Sequence, residues 1–326
     1  MADGASPAAA RGALERALDR VWLAREDPYT LGLLRIVVVA VLTASLLCHV
    51  GAVAEYFSSR SPLHGEWARE AFPSRLSLFF WIEAPWAVQA IFVLGVVAHV
   101  AWLVGWYTPV AAAASWLLWV SMCGRNPLLY SLPDQLQMVM CTLLACMPSG
   151  RALSFDARRR GGGATVPVWC RRVIMVQIGT LYTATGLLKS GETWHQHGTA
   201  LYFALVNPYN RHFEAAPLWA SLQPWLLRPM TFVVLWWEIL FAAFVLLHAS
   251  RELLGRPRWL PDLRWPMLGF GVAMHLGIQL ALYVVWFSPL VVSGYLAFLR
   301  PDETRALAAW LRARLHRRRS VAAAPA

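Results

Sequence analysis

The run Lys189-Ser190-Gly191-Glu192-Thr193-Trp194-His195-Gln196-His197-Gly198 gathers an amine, a carboxylate and two imidazoles, and Thr199, Tyr202, Asn207 and Tyr209 follow closely. An apolar stretch leads into it, so the lysine sits where a hydrophobic helix ends. An amine in such a place loses a proton more easily than one in water, because desolvation disfavours the ammonium form. It then suits proton removal from a phenol, a hydroquinone or a carbon acid. The same residues also read as a lysine at a helix end facing water or headgroups, and both readings stand on spacing alone.

Three further places put polar groups where an apolar chain makes them expensive. Arg125-Asn126-Pro127 precedes Asp134, Gln135 and Gln137, so a loop enters an apolar segment carrying a carboxylate and two amides. An Arg125 to Asp134 structural pair and a catalytic role are both open there. Glu238, His275 and Gln279 lie within apolar stretches, and the last two are four residues apart, on one helical face. They read as a polar pathway or as helix-to-helix hydrogen bonds. Arg35 lies one turn into the first apolar stretch and reads as a snorkelling side chain or as an interior cation. His195 and His197 supply too few partners for a metal site, the five cysteines form no CxxC, and no metal is expected.

The elements that must position these groups are apolar helices. The chain is 58% hydrophobic and 14% charged, against about 45–50% and about 25% in soluble domains. Met267 to Leu299 carries no formal charge. Eighteen tryptophans, among them Trp81, Trp86, Trp106, Trp225, Trp259 and Trp265, fall largely near segment ends, where an indole suits the membrane interface. The net charge of +11 comes from basic residues between the apolar segments and at the termini, with no nucleic-acid recognition motif. Nucleic acid is therefore excluded as a partner, and membrane lipids are expected.

Apolar segments lie near 31–53, 86–106, 109–123, 134–148, 172–189 and 231–249, then 267–299 as a pair broken around Pro289. The third and fourth are short and are expected to be tilted or packed inside. Loop charge fixes the parity. The N-terminus, the loop bearing Arg151, Arg158, Arg159, Arg160, Arg171 and Arg172, the loop bearing Arg251, Arg256, Arg258 and Arg264, and the tail bearing Arg312 to Arg319 are all basic. Eight spans put every one of them on the cytoplasmic side. The expected fold is thus an all-α polytopic transmembrane helix bundle of about eight spans. Residues 1–26 form a cytoplasmic segment, 27–300 the bundle, and 301–326 a basic cytoplasmic tail, part of which suits a basic amphipathic helix on anionic lipid.

Several short motifs, in order, resemble a known family. Leu34-Arg35-Ile36, Gly105-Trp106-Tyr107-Thr108, Arg125-Asn126-Pro127-Leu128, Ser154-Phe155-Asp156, and Gly186-Leu187-Leu188-Lys189 with Trp194 and Gly198 look like the horizontally transferred transmembrane (HTTM) domain. That domain includes the membrane part of vitamin K-dependent gamma-carboxylases. The resemblance implies that Lys189 matches the lysine that deprotonates vitamin K hydroquinone, so a quinol is the implied cofactor. It departs from the carboxylases at Leu188-Lys189, where they carry two lysines, and at Pro133-Asp134-Gln135, where they carry an asparagine-histidine pair. No counterpart of their large luminal domain follows the bundle.

The sequence therefore leads to a multi-pass protein of the cell membrane, a compact bacterial member of this family. It is expected to use Lys189, Asp134, His195 and His197 catalytically on a quinol or lipid-like substrate. Arg125, Asn126, Trp194, Tyr202, Glu238 and His275 are the expected binding residues. The alternative is a non-catalytic membrane partner in maturation or export of a secreted peptide toxin, since the domain also resembles the membrane subunit of a bacterial peptide-maturation system.

Overall fold

The computed structural model describes Gly12, Glu15, Arg16 and residues 18–322; the start of the expected N-terminal segment lies outside the described residues. The fold is all-α, with one two-residue antiparallel ladder that pairs Arg25 with Pro167 and Glu26 with Val166. Its principal helices are α1 (Tyr29–Leu47), α2 (Pro85–Val104), α3 (Thr108–Arg125), α4 (Leu132–Ala145), α5 (Trp169–Leu188), α6 (Arg228–Ile239), α7 (Phe241–Leu253), α8 (Arg264–Ala281), α9 (Phe287–Gly294) and α10 (Pro301–Ala322).

Among the described residues α1 and α2 are long and apolar enough to cross a membrane. Ala216–Ile239 with α7, bent by 48°, makes a third if a broken span is counted. The other expected segments are helical but shorter or more polar, so the expected count of eight is not reached by length and composition. α2 shows why its ends fall where they do. Pro85 occupies its first position, where a missing N–H costs nothing. Gly105 ends it in the left-handed conformation at φ 74°.

The chain divides into two compact units. The first comprises Met1–Arg125, Cys141–Arg171 and Leu296–Ala326. In it α2 packs against both α1 and α3, around the fully buried Trp102 and Trp119. The rest is held by buried charge. Arg35 is 0% exposed, so it does not snorkel. Its Nη1 donates to the Ser149 carbonyl at 2.9 Å and its Nη2 to that of Leu153 at 2.6 Å. Leu153 itself has φ 52°, a strained value for a leucine.

Asp156 acts beside it. Its Oδ1 accepts the Tyr107 N–H at 3.1 Å, and its Oδ2 accepts both the Thr108 N–H at 2.8 Å and the Thr108 hydroxyl at 2.7 Å. These bonds supply the first turn of α3 with the acceptor it lacks. Burial alone would raise the Asp156 pKa; the bonds from Thr108 and Tyr107 and the charge of Arg160 outweigh it and hold the carboxyl below the usual range. A Cβ on Gly105 would run into Ser154 and the Arg35 guanidinium. Three motifs far apart in sequence thus build one joint. Arg125, also 0% exposed, repeats the device, donating to the carbonyls of Leu63 at 2.7 Å and Ser58 at 3.1 Å.

The second unit comprises Asn126–Met140 and Arg172–Tyr295. Its loop before α8 is clamped by Asp262, which accepts from Arg264 at 2.7 and 2.8 Å and pairs with Arg251 at 3.4 Å. The Arg264 hydrogen bonds hold the Asp262 carboxyl down to about 2 against the opposing effect of burial. The break between α8 and α9 falls at 282–286, ahead of the expected Pro289. Pro289 is instead the third residue of α9, within the turn whose N–H groups have no intrahelical acceptor. The break occurs earlier because another segment takes over its backbone groups. Arg211 bridges Leu282, the His212 N–H donates to the Ala281 carbonyl at 3.0 Å, and the Tyr283 N–H donates to that of Asn210 at 2.5 Å.

Two predictions follow from these joints. Lysine has no fork to reach two carbonyls, so Arg35→Lys should cost about 1.5–3 kcal/mol, read as a lowered midpoint of thermal unfolding in detergent. Asp156 and Asp262 have folded pKa values below the unfolded value of about 3.9. Their stabilisation is therefore present above that pH and is lost as pH falls through the folded values. Asp156→Asn with Asp262→Asn should flatten the acid limb of the unfolding midpoint between about pH 4 and pH 2; a limb as steep as the parent's would contradict this.

Candidate functional site

Helix α5 carries a different kind of residue at each end. Near its start Arg172 meets Glu252 at 3.7 Å, in the region of the basic loop 251–264. Just past its end stands Lys189, 17 residues later, which at 1.5 Å per residue is roughly 25 Å along the axis. That is close to the hydrocarbon thickness of a bilayer, about 30 Å.

Between these ends one face of α5 is polar. Tyr182, Thr185, Gly186 and Lys189 are spaced three and four residues apart, as neighbours on one helical stripe must be. The stripe faces the kink between α6 and α7. A kink frees backbone groups that apolar surroundings cannot satisfy, and Thr183 supplies them. Its hydroxyl lies 3.3 Å from the carbonyls of both Glu238 and Ile239, and it accepts the Ala242 N–H at 2.9 Å. Gly186 permits the approach: a Cβ there would lie 2.8 Å from the Ile239 nitrogen and 3.0 Å from the Glu238 Cβ.

The approach delivers Glu238 to Lys189. The Nζ of Lys189 forms an ion pair with Glu238 Oε2, and Thr185 Oγ1, which donates to the Tyr182 carbonyl at 2.9 Å, lies 3.4 Å from the same oxygen. Lys189 also lies over the Trp194 ring, 5.0 Å from its centroid. The Glu238 side chain is 8% exposed and that of Lys189 22%. The carboxylate is therefore sealed and the amine remains reachable. His195 Nε2 lies 2.7 Å from the Lys189 carbonyl and holds the turn after α5, while His197 pairs with Glu192 at 3.3 Å in the open.

A second buried chain lies one turn and more below. The Tyr182 hydroxyl is hydrogen-bonded to His275 Nε2 at 2.5 Å and to the Tyr295 hydroxyl, and His275 Nδ1 meets Ser288 Oγ at 3.1 Å. Trp237 and Phe241 pack on the Tyr182 ring with centroids 4.7 and 4.6 Å away. His275 is thus joined to two tyrosines and a serine, where sequence reading had grouped it with Glu238 and Gln279. The indole N–H of Trp237 and the Oε1 of Gln279 are buried without a hydrogen-bond partner among the described residues.

The remaining expected site residues are placed as follows. Asp134 accepts the Ser131 N–H at 2.9 Å, the Ser131 hydroxyl at 3.0 Å and Gln137 Nε2 at 3.3 Å, closing the first turn of α4. Tyr202 lies in the short helix Ala200–Val206 with its ring against Phe203. Arg125 serves the carbonyls described above, and Asn126 beside it is buried. The structure therefore brings together Lys189, Glu238, Trp194 and the His195 ring. Tyr182, Thr185, Thr183, Tyr295 and Ser288 are additions that sequence reading missed; the polar stripe on α5 was the available signal for the first two.

A family model described as the HTTM domain matches residues 24–255. No match was found among curated proteins or among solved structures.

The ion pair generates a stability prediction. Lys189→Met leaves a sealed carboxylate unanswered, and Glu238→Gln removes the charge that answers the amine. Each single change should cost up to about 3 kcal/mol, the lower end for a buried pair because Lys189 keeps some exposure. The double variant should unfold at a higher temperature than Lys189→Met alone; strict additivity of the two losses would show that the side chains do not interact.

Proposed function

The chain belongs to the HTTM domain family, a membrane protein family related to the carboxylases, and from that premise we propose that it is a membrane enzyme using Lys189 as a base toward a lipid-soluble quinol. The observation that carries this reading is the Lys189–Glu238 pair: an accessible amine whose partner carboxylate is withheld from water.

The pair suits proton abstraction for a physical reason. When the Lys189 ammonium passes a proton to Glu238 Oε2, the result is a neutral amine beside a carboxylic acid, a charge-free arrangement that apolar surroundings tolerate. The amine lone pair then takes the proton of a substrate hydroxyl: the O–H bond breaks, an N–H bond forms, and the electron pair stays on oxygen. Trp194 stabilises the returning ammonium through its ring face. His195 positions the turn that carries the lysine. The unpartnered Trp237 N–H and Gln279 carbonyl oxygen are suited to a hydroxyl or carbonyl of a quinone-like ring. When bound, a quinol would supply an acidic hydroxyl and, with oxygen as oxidant, reducing electrons.

Orientation belongs to the same proposal. The chain is a multi-pass protein of the cell membrane with about eight crossings and both termini in the cytoplasm. The Arg172 end of α5 lies on the cytoplasmic side, and Lys189 on the other. The distance between the two ends and the basic character of the first support this. Asp134, His197, Tyr202 and Asn126 stay in the proposal as substrate-binding residues, and Arg125 keeps the structural role its two carbonyls give it. A role as a non-catalytic partner in maturing a secreted peptide remains the competing outcome.

Purified protein should oxidise a reduced naphthoquinone in an oxygen-dependent manner, and Lys189→Ala should lower the rate by at least about a hundredfold, the usual contribution of a positioned base. Undiminished turnover in that variant would remove the assignment. If peptide processing in cells depends on the gene and survives Lys189→Ala, the partner role takes its place.

A further inference from the structure

The first unit contains a cavity of about 510 Å³ that the proposed chemistry does not use. Its wall comes from three separate parts of the chain: the segment ahead of α1, the loop between α4 and α5, and the start of α10. Arg25, Arg151 and Arg305 reach it, together with Glu26 and Asp27. The acids are already committed. Glu26 accepts from Arg171 at 3.2 Å, and Asp27 accepts from Arg305 at 2.6 Å and from the Tyr29 N–H at 2.9 Å. Arg25 and Arg151 are exposed, and no side-chain partner is found for either among the described residues.

The loop opposite these arginines adds donors. Gly161, Gly162 and Gly163 all adopt left-handed backbone, φ 78°, 82° and 73°. A Cβ on any of them would meet nothing, so conformation and not crowding is what glycine provides here. Gly162, Gly163, Ala164 and Thr165 line the cavity. None of these backbone N–H groups donates to an acceptor among the described residues. Two guanidinium groups without a side-chain partner and a run of free amides, around one cavity whose carboxylates are already engaged, form a donor-rich, positively charged surface among the described residues. That is the complement of a phosphate group.

We propose that this cavity is a phosphate-binding site, with Arg25 and Arg151 as its principal ligands, and that the phosphate belongs to the headgroup of an anionic membrane lipid. The lipid source follows from position. The cavity opens beside Pro28 and Tyr29, at the start of the apolar helix α1, where a headgroup would lie with its acyl chains along the helix. The committed pair Arg305–Asp27 also lines the cavity, joins the start of α10 to the segment before α1 and adds no net charge.

The test uses the full chain in detergent, with phosphatidylglycerol, phosphatidylcholine and inorganic phosphate as probes, bound species being counted by native mass spectrometry. Phosphatidylglycerol should be retained over phosphatidylcholine. Arg25→Gln with Arg151→Gln should weaken that retention at least about tenfold, as loss of two surface arginines from a headgroup would. Arg256→Gln with Arg258→Gln removes the same charge from an exposed loop elsewhere and should change it less than about twofold. Saturable binding of inorganic phosphate, lost in the cavity variant only, would uphold the site and reassign its ligand to a soluble phosphate. Equal losses in the two double variants, or no loss in either, would overturn the proposal, since diffuse attraction to a basic surface then accounts for the binding.

Discussion

A kinked helix in apolar surroundings must find acceptors and donors for the backbone groups it exposes, and here the hydroxyl of Thr183 supplies both. Without it the bend between α6 and α7 would carry unsatisfied peptide groups at a cost of several kcal/mol each. The bend in turn sets the position of Glu238, and Gly186 lets α5 come close enough for Lys189 to meet it. The Lys189–Glu238 ion pair is therefore the end product of a backbone constraint. Thr183 and Gly186 together decide where that pair forms.

The two units spend buried charge differently. In the first, Arg35, Arg125 and Asp156 are each surrounded by backbone carbonyls, N–H groups or a hydroxyl that they satisfy directly. Such groups fix loops, because no substrate can displace a carbonyl from its own chain. In the second, Lys189 has one partner and part of its surface uncovered. A cation forked between two carbonyls at zero exposure holds its shape, whereas Lys189 keeps an open side. Family motifs at Leu34-Arg35-Ile36, Gly105 to Thr108 and Ser154 to Asp156 thus belong to architecture, and the motif ending in Lys189 leads to a partly exposed ion pair.

The sequence was legible where a feature repeats along one helix. Apolar runs marked the helices, and the density of polar groups after Leu188 pointed to Lys189. It was opaque where the partner is distant. Glu238 lies 49 residues from Lys189, and nothing local in either stretch specifies the other. His275 was grouped with Gln279 by helical spacing, yet its ring bonds reach Tyr182, 93 residues away, and Ser288. The helix break was sought at Pro289, because proline is the usual breaker. The chain breaks earlier because Asn210 to His212 offer their own backbone groups to Ala281, Leu282 and Tyr283. Arg35 was equally legible as a surface or an interior residue until the carbonyls of Ser149 and Leu153 were seen to receive it.

The clasp between the first and last helices has a consequence for biosynthesis. Thr30 and Thr304 share a hydrogen bond at 3.0 Å, Arg305 reaches back to Asp27, and Arg171 donates to the carbonyl of Ala297 at 3.1 Å. Residues 172–295 lie between these partners in the order of synthesis. Thr304 follows Thr30 by 274 residues in the order of synthesis. At about 5–20 residues per second, the nascent first unit waits tens of seconds with its polar joint exposed. During that interval the lipid, the insertion machinery or a chaperone must stand in for α10.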